Sequence, residues 1–268
     1  MRKRVIITTI VSLILLFAVV LAGLNAVFTV TAVRTDFCTY SAEGGKEAVE
    51  LQTKLNGYVG RSLTFLDLKD VENEVAAYPF MKVETVSKKY PDQVRIRIVE
   101  KKESYAYLLP DGSFAALDEN GEYLRSNPTL DNRVAGKNIP LVDFGFRLVD
   151  GKTEGRYFEP LMDCFACLRD ALGEVRANVV SVSLNFGGGE SAPETHYFRF
   201  TMREGVVIDL YNPQREAAAK MRSAADLYTG QGTFAGKGLN DAEKTGGIVT
   251  VNLVGDKIVC AYQAETNE

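Results

Sequence analysis

The sequence predicts an α+β protein made of an N-terminal transmembrane helix, a small β-α-α-β-β domain, and a larger mixed β-sheet domain with packed helices. Three observations carry this reading. Val5 to Val33 contains no charged residue. Pro79 to Lys101 ends in a strict alternation, with Val94, Ile96 and Ile98 on one side and Gln93, Arg95 and Arg97 on the other, which is the period of a strand with one buried face. Past Lys102 the chain turns to short apolar runs separated by Gly, Pro and Asp, the texture of short strands and turns.

Met1-Arg2-Lys3-Arg4 is a basic tip. A bilayer core of roughly 30 Å needs about 20 apolar residues in a helix, and residues 5–26 supply them. The basic tip then stays in the cytoplasm and the rest of the chain lies outside. A cleaved signal peptide is the rival reading. Its apolar region would be unusually long, and the processing triplets Leu24-Asn25-Ala26 and Val30-Thr31-Ala32 suit cleavage poorly, so the uncleaved anchor is preferred.

Residues 27–101 form the first domain. Phe28 to Val33 is expected to be its first strand. Val49, Leu51, Leu55 and Tyr58 lie on one face of a first helix, and Leu68, Val71, Val75 and Tyr78 on one face of a second. Asp67 or Asp70 is positioned to cap the second helix. Pro79 ends it, because the residue before a proline is pushed out of the helical region. Met81 to Lys89 alternates poorly, as a bulged or edge strand would. Tyr90-Pro91-Asp92 turns the chain back into Gln93 to Glu100.

Residues 102–262 form the second domain. Tyr105 to Leu109, Pro110-Asp111-Gly112 and Ser113 to Leu117 read as a hairpin. Phe158 to Leu172 reads as a helix with Leu161, Phe165, Leu168 and Leu172 inward. Val179 to Phe186, Tyr197 to Met202 and Gly205 to Tyr211 are strands. Pro213 is expected to open a helix that runs to about Leu227. A last hairpin spans Ile248 to Tyr262 across Gly255-Asp256, and residues 263–268 read as a disordered tail.

The sequence is poor in chemistry. Its net charge is −4 with no basic stripe, which argues against nucleic acid. His196 is the sole histidine, so any catalytic triad would have to be built around it; a surface or strand-end position is expected. Gly232 to Gly238 lacks the spacing of a phosphate loop and reads as a flexible connection. Cys164 and Cys167 lie inside a helix without the four ligands a structural zinc wants, and read as small core or boundary residues, with a disulfide as the alternative. Cys38 and Cys260 are far apart, and spacing says nothing of their pairing. Asp118, Glu119 and Asp143 sit in turns, with nothing to pair them as acid and base. No cofactor, metal or small-molecule substrate is expected.

The succession Pro79, strand, Pro91, and an alternating strand ending in Val99-Glu100 resembles the FtsQ/DivIB family of bacterial cell-division proteins. The likeness continues through Asp111-Gly112, the D-x-x-G turn Asp118 to Gly121, and Ile139-Pro140-Leu141-Val142; Lys101-Lys102 departs from the family's Arg-x-Pro. The resemblance implies that residues 27–101 are a POTRA domain, with Pro79, Pro91, Val94, Ile96, Ile98 and Glu100 as its motif. It implies a non-catalytic single-pass membrane protein at the division septum that docks partners outside the membrane and helps recruit or regulate septal peptidoglycan synthesis.

The implied partners are FtsB/DivIC-type and FtsL-type division proteins and the septal peptidoglycan synthase complex. The final strand, Lys257, Ile258, Val259, Cys260, Ala261 and Tyr262, is short and apolar, and at a sheet edge it would recruit a partner strand. The family also uses the preceding strand and helix, which implies Val251, Leu253 and Lys220; Asn252 and Val254 depart from the family's I-D-L-R. Two alternatives stand beside this reading. One is a POTRA-bearing export or assembly factor, which should carry repeated units or a barrel. The other is an extracytoplasmic enzyme, which should carry a pocket with perturbed titrating groups.

Overall fold

The computed structural model describes residues 10–17, 19–20, 23, 27–130, 138–189 and 192–264. The cytoplasmic tip, much of the expected anchor at 5–26 and the last four residues of the tail therefore lie outside the described residues. Ile10 to Phe17, Val19, Val20 and Gly23 are helical. Among the described residues no helix is long and apolar enough to cross a membrane. The chain forms two compact units, Met1–Lys102 and Glu103–Glu268.

The first unit is built from β1 (Ala32–Cys38), α1 (Ala42–Leu55), α2 (Leu68–Ala76), β2 (Met81–Lys89) and β3 (Gln93–Glu100). This is the β-α-α-β-β order. The sheet runs β1-β3-β2, with β1 parallel and β2 antiparallel to the central β3. Val94, Ile96 and Ile98 pack with Leu51, Leu55, Val71 and Val75 of the helices. Asp67 caps α2 by accepting from the Lys69 N–H, satisfying a donor that has no partner within the helix. β2 is both an edge strand and bulged between Val83 and Thr85, which accounts for its broken alternation.

Two expectations are corrected here. The first strand begins at Ala32 instead of Phe28, because its parallel partner β3 begins at Gln93, opposite Ala32. The residues before it lie outside the strand: Thr29 bridges Ser62, and Phe28, Val30 and Thr31 bond to the neighbouring loop and turn. Val49 is 70% exposed, because α1 turns Ala48, Leu51 and Leu55 to the core instead, and Tyr58 reaches it from the short 3-10 turn that follows.

The second unit centres on a nine-stranded mixed sheet. Its strands are β4 (Tyr105–Leu108), β5 (Phe114–Leu117), β6 (Tyr123–Asn127), β7 (Ile139–Val142), β10 (Val179–Phe186), β11 (His196–Met202), β12 (Val207–Tyr211), β13 (Ile248–Val254) and β14 (Lys257–Gln263). They run in the order β14-β13-β12-β11-β10-β7-β4-β5-β6, and β8 (Arg147–Val149) with β9 (Lys152–Glu154) forms a separate hairpin. The helices are α3 (Phe158–Leu172), α4 (Val175–Asn178), α5 (Ala217–Thr229) and α6 (Asp241–Lys244).

Phe165 of α3 stacks on Tyr105 at 4.1 Å and meets Phe200 edge-on at 5.9 Å, joining helix to sheet with the geometry aromatic rings favour. Leu161 and Leu168 are fully buried, while Leu172 is half-buried. The D-x-x-G turn explains itself. The Asp118 carboxylate accepts from the Asn120 and Glu122 N–H groups, while Gly121 adopts φ 83° where a Cβ would strike Met162 and Phe158. Pro213 does not open α5, which starts at Ala217 after Glu216 turns through φ 54°. Gln263, expected in the tail, is the last residue of β14.

Candidate docking site

β14 is the end strand of the nine-stranded sheet and pairs on one side only, with β13. Lys257, Val259, Ala261 and Gln263 are exposed, whereas Ile258, Cys260 and Tyr262 are half-buried against the core. A regular seven-residue edge without proline or bulge, carrying one lysine as its only charge, leaves a row of backbone donors and acceptors open to another strand. Val259 on β14 and Val254 at the end of β13 are 47% and 62% exposed, so the row is flanked by apolar surface. Tyr262 is anchored by its hydroxyl to the Gly246 carbonyl, and Cys260 packs half-buried against the core. Burial pushes the Cys260 thiol up to about 11, so it stays protonated and unreactive at neutral pH.

The nominated partner residues separate into two groups. Lys257 to Tyr262 lie together on β14, with half-buried Leu253 opposite Ile258. Val251 is fully buried in β13, and Lys220 is fully buried in α5. Neither side chain reaches the surface, which corrects both nominations. The Lys220 Nζ donates to the carbonyls of Tyr211 at 2.5 Å and Asn212 at 2.6 Å, tying the end of β12 to the helix. Loss of water around it lowers its ammonium to about 8. Its residue type suggests a surface; only the packing of α5 reveals the buried role.

A second concavity, a cleft of about 940 Å³, opens beside Tyr107, Phe144, Phe146, Phe186, Arg156 and His196. His196 starts β11, as a strand-end residue, but it is buried and not on the surface. Its Nε2 lies 3.0 Å from the Gly189 carbonyl and its Nδ1 2.5 Å from the Tyr157 hydroxyl. Nε2–H therefore donates to the carbonyl while Nδ1 accepts from the tyrosine, and neither nitrogen is left to act as a base. Asp143 is exposed at the rim with φ 62°.

The remaining candidates are structural. Cys164 and Cys167 are buried free thiols whose Sγ atoms approach the Ala217 and Ala218 carbonyls at 3.8 and 3.3 Å, so they pack α3 against α5. Cys38 and Cys260 are also free and lie in different units. A Cβ on Gly232 would stand 2.1 Å from the Asp226 carboxylate, and that anionic neighbour is hostile to phosphate. Gly232 to Phe234 forms a 3-10 turn. Among the described residues no group of three His, Cys, Asp or Glu side chains could hold a metal ion.

In the first unit the motif residues serve the fold. Val94, Ile96 and Ile98 are core, and Tyr90–Pro91 is a cis bond in the turn. Tyr78, just before Pro79, is buried. Glu100, at the Val-Glu position, is buried and accepts from the backbone N–H groups of Tyr40 at 2.7 Å and Ser41 at 3.1 Å, and from the Ser41 hydroxyl. Ser41 in turn caps α1 through the Gly44 N–H. A Cβ on Gly44 would lie 2.3 Å from the Glu100 carboxyl carbon, so glycine there makes room for the carboxylate at the positive end of the helix.

The first unit is a three-stranded sheet with helices packed on it, and the second is a larger sheet whose end strand β14 pairs on one side only. The family model described as POTRA domain, FtsQ-type, matches residues 46–101. The matched residues thus form an FtsQ-type POTRA domain within the first unit. A domain of that type suggests a protein of cell division. No curated protein matches the chain.

Proposed function

We propose that this is a non-catalytic, single-pass division protein. It is anchored through residues 5–26 with its N-terminus in the cytoplasm, and it docks partners outside the membrane at the septum. The observation that carries the reading is the FtsQ-type POTRA match next to a second unit whose sheet ends in the open strand β14. An FtsB/DivIC-type segment adds to Lys257–Gln263 as a further strand, with backbone hydrogen bonds giving affinity and the pattern of half-buried and exposed side chains giving register. Through that segment and an FtsL-type partner the protein helps recruit or regulate the septal peptidoglycan synthase.

Co-purification of the full chain with the extracellular segment of an FtsB/DivIC-type protein tests this. Cys260→Pro removes an N–H that faces away from β13, toward an added strand, and circular dichroism checks the fold. Binding that is lost while the fold survives supports β14 as the dock. Binding that persists moves the dock elsewhere, and absence of binding by the wild-type chain removes the division assignment. Depletion of the protein should give filaments in which septation is blocked.

A further inference from the structure

We infer that the loop 59–65 and the turn 88–92 of the POTRA unit form a juxtamembrane surface that beds into the headgroup layer of an anionic phospholipid bilayer. This inference rests on residues 5–26 being a membrane anchor. The chain leaves that apolar stretch at Val27 and is gripped at once on two sides. Leu63 N–H donates to the Phe28 carbonyl at 2.6 Å, Val30 N–H to Arg61 at 2.8 Å and Gly60 N–H to Val30 at 2.8 Å. On the other side Thr31 N–H donates to the Asp92 carbonyl at 2.8 Å. Because β3 runs parallel to β1, the turn that precedes β3 lies at the same end of the unit as residue 31. Both loops therefore surround the point where the chain emerges from the apolar stretch.

What they present there is unusual for a face turned to water. Phe65 is 72% exposed, the most exposed large apolar side chain among the described residues, and Tyr90 and Val59 are 59% and 48% exposed. Tyr90 is braced edge-on by Phe28, with ring centroids 5.5 Å apart. Arg61, Lys88 and Lys89 accompany them; the Arg61 guanidinium lies 4.6 Å from the Tyr58 ring and the Lys88 Nζ donates to the Thr64 carbonyl. Of the acids near them, Asp92 accepts from the Thr31 hydroxyl and Asp67 caps α2.

Aromatic rings beside basic side chains, at the end of an apolar segment, are the composition of a membrane interface. There the rings sit at headgroup level and the cations meet phosphate. The other end of the unit, where β1 runs into Ser41, is roughly 20 Å away along the strand.

The chain contains no tryptophan, so a single introduced one reports depth. Phe65→Trp and, as a control at the far end, Ala42→Trp are placed in the full chain and reconstituted into bilayers carrying brominated acyl chains, either zwitterionic or with phosphatidylglycerol. Flotation is scored on the same samples. The expected result is co-flotation of both proteins, blue-shifted and quenched emission from Phe65→Trp alone, and deeper quenching with phosphatidylglycerol that Arg61→Glu with Lys89→Glu abolishes. Co-flotation with Phe65→Trp emission no more quenched than the control overturns the surface while the anchor stands. Quenching that ignores phosphatidylglycerol overturns the anionic headgroup as its ligand. Failure to co-float overturns the anchor, and the inference falls with it.

Discussion

The two units solve the same problem, a sheet with helices packed on it, and differ in what they do with their edges and their buried charge. In the POTRA unit the β2 edge is bulged and carries Lys82, Lys88 and Lys89, and the exposed side of β1 carries Arg34 and Asp36. In the second unit the β6 edge is short, irregular in register and followed by Pro128. These are the devices that keep edge strands from pairing. β14, with seven regular residues, has none of them beyond one lysine. The buried charges differ as well, with Glu100 held by backbone N–H groups and Lys220 held by backbone carbonyls. The proposed docking strand is thus the edge that lacks these devices.

The largest expected effect concerns Glu100. Glu100→Ala leaves two backbone donors and the Ser41 hydroxyl without their charged acceptor and should destabilise the POTRA unit by roughly 4 kcal/mol. Hydrogen exchange should locate the loss there; a uniform loss across both units breaks the comparison.

Lys220 comes next. Its pKa is lowered to about 8 in the folded chain from an ordinary value of 10.5, so between those values the unfolded state binds more protons and stability rises with pH. The second unit should gain about 3 kcal/mol at most between pH 8 and 10.5, with no further change from this group below pH 8. Denaturant titrations across that range should show the rise, and Lys220→Met should remove it.

At the edge, Cys260→Pro, which removes an N–H facing away from β13, should weaken partner binding about a hundredfold, or roughly 2.7 kcal/mol. Ser126→Pro, on β6, has the smallest expected effect, with affinity changed less than about twofold in the same titration. Equal losses from the two prolines would erase the distinction between the edges.

Much of this architecture is legible in the chain because period and punctuation are local. The alternation of β3, the facing leucines of α3, and the Pro91 and Gly121 turns depend on neighbours in sequence. Where β1 starts could not be read, because a parallel partner sixty residues away sets its register. The N-terminus of α5 was misread for a related reason: Pro213 suits a first turn, yet the left-handed backbone at Glu216 delays the helix.

The candidate site was read in part. The residues of β14 carry their edge character in composition, whereas the burial of Val251, Lys220 and His196 depends on which face the sheet and helices share. By itself the sequence determined the β-α-α-β-β order, the apolar N-terminal stretch and the apolar last strand, since each follows from spacing along the chain. Only the tertiary structure decided that β14 stands at the end of the sheet, that Glu100 holds Ser41 at the start of α1, and that Lys220 is sealed inside. Strand order and burial are set by contacts between residues far apart in the chain, and no local pattern encodes them.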